Sequence, residues 1–231
     1  MKIYAISDLH LGTNADKPMD IFGPKWENYW QEIVANWLSL VKPEDIVLIA
    51  GDISWAMRLE DAAADLQLIA NLPGTKILVR GNHDYWWSSI SKVRSLAGKN
   101  IICLQNDAVK IGNYVFCGTR GWSVPEKNHK TADDEKIYNR EVLRMEMALQ
   151  NAQKLAQEGD QIIALVHYPP FNSRAEDSDF TKLFEKYNVT TVVFGHLHAY
   201  DYGIKLESEK NGITYYLTSC DLVGNRLVNI K

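Results

Sequence analysis

Ile46-Val47-Leu48-Ile49-Ala50-Gly51-Asp52 is a run of five apolar residues closed by a glycine and an acid. A short apolar run bounded by a turn residue reads as a buried strand that delivers a polar side chain at its end. The same grammar recurs twice nearby. Lys2–Ser7 runs into Asp8-Leu9-His10, and Lys76–Val79 runs into Gly81-Asn82-His83-Asp84. Lys2–Ser7 is apolar on both faces, as expected for a central strand covered on two sides. In α/β sheets the C-terminal ends of such strands line the crevice where sites form.

Helical patterns alternate with these strands. Over residues 26–42, Trp26, Tyr29, Trp30, Ile33, Trp37, Leu38 and Val41 fall on one stripe, predicted to face the core. A second helix is expected from Leu59 to Asn71, stopped by Pro73-Gly74, and a third over 88–97. Strand–helix alternation of this kind signals βαβ units and a parallel sheet. The second half changes character. Gly112-Asn113 and Asn211-Gly212 are turn signals, predicting hairpins of Ala108–Ile111 with Tyr114–Gly118 and of Gly203–Glu209 with Ile213–Ser219. Between them lie a polar loop at 120–134 holding His129, and a long amphipathic helix from Asp134 to Glu158. Strands at Gln161–Val166 and Thr190–Phe194 lead into His167 and Gly195-His196-Leu197-His198, and Arg226–Ile230 adds a last strand. About ten strands are many for one open sheet, so two packed sheets flanked by helices are predicted. No linker interrupts the pattern, and residues 1–231 are expected to form a single domain.

Composition narrows the function classes. The chain is 46% hydrophobic and 23% charged, with a formal charge of −4, so it lacks the basic footprint of a nucleic-acid binder. Cys103, Cys117 and Cys220 are too few and too scattered for a zinc cluster or a disulfide framework, and read as reduced core thiols. The N-terminus enters a strand at once, without the apolar core and cleavage site of a signal peptide. No apolar stretch approaches the ~20 residues that cross a bilayer. A cytoplasmic location is the expectation.

Five of the six histidines sit in the strand-end blocks. His, Asp and Asn together offer borderline nitrogen and hard oxygen ligands that suit Mn, Fe, Zn or Ni. Any one block means little: Asp-x-His is common, and a lone strand-end histidine is usually a satisfied core residue. Their joint occurrence, each at a strand end, points to a metal centre. Gly51, Gly81 and Gly195 directly precede candidate ligands, as expected of turns that glycine tolerates cheaply.

Asp-x-His, Gly-Asp, Gly-Asn-His-Asp, a strand-end His and Gly-His-x-His, in this order over residues 8–198, resemble the calcineurin-like metallophosphoesterase superfamily. That resemblance implies a two-sheet sandwich flanked by helices and two divalent ions at the strand ends. One ion would take Asp8, His10, Asp52 and His198; the other would take Asp52, Asn82, His167 and His196. His83 would bind no metal but donate a hydrogen bond or proton to the phosphate and leaving group, with Asp84 orienting it or capping the next helix. The reaction implied is in-line attack on a phosphomonoester or phosphodiester by hydroxide held between the ions.

Departures from the family pattern narrow the substrate. The Asp-Arg pair that protein Ser/Thr phosphatases carry after Gly-Asp is missing from Gly51-Asp52-Ile53-Ser54-Trp55-Ala56-Met57-Arg58, which argues against a protein substrate. Arg58, Arg80 and Arg120 are candidate phosphate clamps. Trp55, Trp86, Trp87 and Trp122 either flank the site or bury themselves in the core. The expected partner is a small-molecule phosphoester, with no membrane and no nucleic acid. A DNA-repair-type nuclease and a catalytically silent scaffold are the alternatives; no ligand has been lost, as a scaffold would allow. Oligomeric state is not legible.

Overall fold

The computed structural model describes residues 1–14, 17–125, 131–198 and 205–231. His129 and the start of the strand expected from Gly203 lie outside them. Eleven strands among the described residues form two sheets. The first has the order β11 (Val228–Asn229), β1 (Ile3–Ile6), β2 (Ile46–Ile49), β3 (Thr75–Leu78), β4 (Ile101–Cys103). The second has the order β5 (Asp107–Ile111), β6 (Tyr114–Thr119), β7 (Gln161–Val166), β8 (Val189–Phe194), β10 (Ile213–Leu217), β9 (Glu207–Lys210). In both, the central strands run parallel and the edge strands β11, β5 and β9 run antiparallel. Both expected hairpin turns are present: Ile111 pairs with Tyr114, and Lys210 with Ile213 across Asn211 and Gly212, which both have positive φ.

Period-two alternation explains why the strands are apolar throughout. Ile3, Ala5, Leu48, Ala50, Ile77 and Val79 face Phe116, Ile163, Leu165 and Val193 across the gap between the sheets. The intervening residues Tyr4, Ile6, Val47, Ile49 and Leu78 pack outward against α1 (Tyr29–Leu40), α2 (Ala63–Ala70) and α3 (Ile90–Ala97). The outer face of the second sheet is covered by α4 (Ala132–Leu155) and α5 (Asp179–Lys186), through Met145, Leu149, Phe180 and Phe184. The result is the four-layer α/β-β/α sandwich expected from sequence.

Differences from the expected elements have local causes. Trp26 belongs to a 3₁₀ turn, Pro24–Trp26, ahead of α1, and Leu38 is 60% exposed, off the stripe that buries Ile33 and Trp37. Trp86 and Trp87 are buried and precede α3, which starts at Ile90. The helix α2 begins at Ala63, four residues later than Leu59. All three cysteines are buried and free.

The two sheets meet at the C-terminal ends of β1 and β10. Beyond β1, Ser7 bridges to Ser219 beyond β10, and Ser7 N–H donates to the carbonyl of Thr218 at 2.8 Å. This junction gathers the C-terminal ends of β1, β2, β3, β7, β8 and β10 around one cleft.

Candidate metal centre

Each strand end hands over its polar residue through a tight backbone. Asp8, His10, Asp52 and His196 all have positive φ (59°, 46°, 51° and 73°), a region that non-glycine residues enter at a cost of about 1–2 kcal/mol each. The strain is held by hydrogen bonds: Asp8 N–H to Gly51 O and His10 N–H to Asp52 O, both 2.9 Å, and His196 N–H to the Asp8 carboxylate at 3.1 Å. Such over-determined strain collects at functional sites.

The glycines contribute in two different ways. Gly51 has φ 94°, a conformation that glycine alone adopts cheaply. Gly81 and Gly195 are needed for space instead: a β-carbon would collide with Asp52 at Gly81, and with Asp8 and Ser7 at Gly195.

All seven expected ligands converge. Asp8, His10 and His198 present ligand atoms within 4.8 Å of one another, and so do Asp8, Asp52 and His167. His10 Nε2 stands 3.4 Å from His198 Nε2, and His198 Nε2 3.4 Å from Asp8 Oδ1. On the other side Asn82 Oδ1 lies 2.7 Å from His167 Nε2 and 2.9 Å from His196 Nδ1, and the two rings approach to 3.2 Å. One atom, Asp52 Oδ2, reaches both groups, at 3.8 Å from His10 Nε2 and 3.4 Å from His167 Nε2. Ligands about 2.1 Å from a shared ion are separated by roughly 3–3.4 Å, close to these spacings.

Proton placement tests whether a cation fits. His167 Nδ1 lies 2.9 Å from the carbonyl of Ala50, which only accepts, so Nδ1 carries the proton and Nε2 presents a lone pair. Burial lowers the His167 pKa, keeping that ring neutral. Its Nε2 therefore faces the Asn82 carbonyl oxygen, acceptor against acceptor, and a cation between them reconciles the pair. Burial likewise pushes His10 down to about 3 and His196 down to about 4, so both are neutral and ligand-ready. Burial, then the charges of Asp8 and Asp84, push Asp52 up to about 9. Burial alone would raise Asp8, but the hydrogen bond with His198 and the surrounding imidazoles hold it below the usual carboxylate range. The carboxyl groups of Asp8 and Asp52, pressed together with the neutral imidazoles of His10, His167 and His196, form a donor set that divalent cations satisfy.

His198 differs from the other rings. Burial opposes its charge, yet hydrogen bonds to Asp221 and Asp8 push it up to about 10. Asp221 Oδ1 accepts from His198 Nδ1–H at 2.9 Å, so Nε2 is the nitrogen that faces the centre. Sequence reading missed Asp221, although it follows the end of β10 as the other site residues follow theirs. It also missed Ser7, whose hydroxyl donates to Asp8 Oδ2 at 2.6 Å.

His83 and Asp84 are used in opposite ways. Neither ring nitrogen of His83 has a hydrogen-bond partner among the described residues; the ring stands 4.6 Å from Trp55 and 5.6 Å from His10, centroid to centroid. Its backbone N–H donates to Asp52 Oδ1 at 2.8 Å. Burial lowers its pKa. The Asp84 carboxylate, fully buried, accepts from Ile53 N, Ser54 N, Gly81 N and Trp86 Nε1 at 2.7–3.1 Å, binding the two ligand-bearing loops together.

Aromatic residues wall the centre. Trp55 stacks on His10 at 4.7 Å, and Trp26, buried in the core as expected, also meets His10 and His198 at 5.9 and 5.7 Å. Arg58 is exposed and paired with Asp61. Arg80 and Arg120 do not enter the ligand cluster; they line a separate cleft with Arg140 and Arg144.

Two α/β layers joined at a carboxylate–imidazole cluster define a metallophosphoesterase architecture. The family model for calcineurin-like phosphoesterases matches residues 1–200, and the chain belongs to that family. No curated protein sequence matches it. Solved structures with this fold include a phosphopantetheinyl hydrolase from Mycobacterium tuberculosis, at TM-score 0.57 and 16% identity, covering 99% of this chain and 95% of that one. A protein of unknown function from Aquifex aeolicus aligns at TM-score 0.54 and 17% identity, over 99% and 95% of the two chains. A Thermus thermophilus protein aligns at TM-score 0.54 and 12% identity, over 99% and 97%. Among the described residues no helix is long and apolar enough to cross a membrane.

Proposed function

We propose that the protein is a metal-dependent hydrolase of phosphoesters, acting on a small or medium-sized molecule through two divalent ions. The observation that carries this reading is Asp52 Oδ2 standing between two nitrogen-bearing groups, with the free ring of His83 beside them. Asp8, His10, Asp52 and His198 would hold one ion, and Asp52, Asn82, His167 and His196 the other. Ions there, Mn, Fe, Zn or Ni by donor chemistry, would supply Lewis acidity that acidifies water and offsets charge on phosphoryl oxygens. The chain's own residues do the rest. Asp221 and the Ala50 carbonyl fix the tautomers of His198 and His167. Asp84 holds loop 81–86 against loop 51–54 and so positions His83. A neutral His83 ring offers one N–H to a phosphoryl or leaving-group oxygen, and an arriving phosphate dianion favours its protonated, proton-donating form. The missing Asp-Arg pair and the overall acidity support a small-molecule substrate over a phosphoprotein or a nucleic acid, and a single cytoplasmic domain remains our reading.

The test is hydrolysis of p-nitrophenyl phosphate and bis-p-nitrophenyl phosphate by purified protein with Mn²⁺. Turnover abolished by EDTA and restored by metal is expected. No turnover on either ester, or turnover indifferent to EDTA, would overturn the reading.

A further inference from the structure

Four arginines, Arg80, Arg120, Arg140 and Arg144, line a cavity of about 250 Å³ with a single carboxylate among them, that of Glu141. The chain as a whole carries a formal charge of −4, so this concentration of positive charge runs against its average. Glu141 is fully buried and cannot satisfy the cluster. Arg144 Nη1 reaches it at 2.6 Å, whereas Arg120 Nη2 and Arg140 Nε stand off at 3.7 and 3.8 Å. Arg80 Nε is buried with no hydrogen-bond partner among the described residues. Each guanidinium offers five N–H groups, and leaving buried ones unmet costs free energy. The rest of the lining adds donors. Gln105 and Asn106 spend their amide oxygens on Trp87 Nε1 and Thr119 Oγ1, at 2.8 and 3.0 Å, and their amide N–H groups have no partner among the described residues. A donor-rich, acceptor-poor cavity of this kind matches a multiply charged oxyanion, which arginine forks grip bidentately.

We propose that this cleft, outside the metal centre, binds a phosphoryl group, either of free phosphate or of a phosphorylated small molecule. Its backbone is tied to the centre at two points. Arg80 directly precedes Gly81-Asn82, and the carbonyl of Arg120 accepts from His167 N–H at 3.0 Å. The ligand class rests on the arginine geometry alone and does not require the phosphoesterase reading.

The experiment is calorimetric titration of EDTA-dialysed protein with inorganic phosphate and, separately, with glycerol phosphate, against chloride at matched ionic strength. Metal-free protein removes binding through the ions, so failure of this site and failure of the enzymatic reading are distinguishable. Saturable binding is expected, weakened about tenfold or more by Arg80→Gln and by Arg140→Gln. The side chain of Arg140 is 51% exposed, so that variant should fold as the wild type does. Glycerol phosphate binding at least as tightly as phosphate assigns the site to a phosphorylated molecule; preference for the free ion assigns it to phosphate. No saturable binding of either probe, or binding unchanged in both variants, would overturn the proposal.

Discussion

Asp221→Ala isolates one half of the proposed metal pair. The carboxylate, with its side chain 1% exposed, holds His198 Nδ1–H at 2.9 Å and so fixes which ring nitrogen faces the centre. A hydrogen bond to a charged group contributes about 1.5–3 kcal/mol, and each 1.4 kcal/mol is tenfold in a binding constant. Loss of a carboxylate behind a ligating histidine typically weakens metal affinity about 10–100-fold, in line with that estimate. The loss should fall on the ion held by Asp8, His10 and His198. The other ion is an internal reference, because the His167 proton is held by the Ala50 carbonyl, which the substitution leaves in place. Asp221→Asn keeps an acceptor oxygen but no charge and should sit between wild type and alanine. Calorimetric titration with Mn²⁺ should show one weakened and one unchanged site. Two sites at wild-type affinity in a folded Asp221→Ala protein would refute the reasoning.

His83→Ala should leave both ions bound and slow hydrolysis of an alkyl phosphate about 10²–10⁴-fold, with a smaller loss on p-nitrophenyl phosphate, whose phenolate departs unaided. Equal losses on both substrates, or loss of metal, would contradict a role at the leaving group. Gly195→Ala should lower metal occupancy by driving a methyl into Asp8 and Ser7; full occupancy by elemental analysis would contradict this. Lys76 is fully buried and donates to the carbonyls of Leu72 and Gly74 at 2.6 and 2.9 Å, so Lys76→Met should cost about 2–4 kcal/mol in urea unfolding. Burial pushes this lysine down to about 8, below the ~10.4 of an unfolded lysine, so between those values the unfolded chain binds more protons and wild-type stability gains as pH rises. The gap between wild type and Lys76→Met should therefore widen from neutral pH to about pH 10; a constant or narrowing gap would contradict it.

Much of the architecture was legible because strand-end blocks carry both fold and chemistry. Apolar runs at Ile46–Ala50 and Gln161–Val166 announced buried strands, and the polar residues after them announced the cleft. What escaped was short or non-local. The strand β4, three residues long, carries too little pattern to stand out. The helix α5 was signalled by a Ser178–Thr181 capping box and by Phe180, Leu183 and Phe184 at helical spacing, but over only eight residues. Asp221 sits 23 residues from His198 in sequence, and only the parallel pairing of β8 with β10 brings the two strand ends together. Trp26 fitted a helical stripe so well that its place beside His10 and His198 could emerge only from the 3₁₀ turn before α1. Gly81 and Gly195 were expected for backbone freedom, whereas the collision a β-carbon would make with Asp52 and Asp8 is a tertiary property.

The most direct test of the central claim is the metal content of protein dialysed against Mn²⁺ and then against metal-free buffer, measured by elemental analysis. Two ions per chain are predicted, because Asp52 joins two complete donor sets. A content of one ion or less per chain in folded protein would contradict a shared two-ion centre.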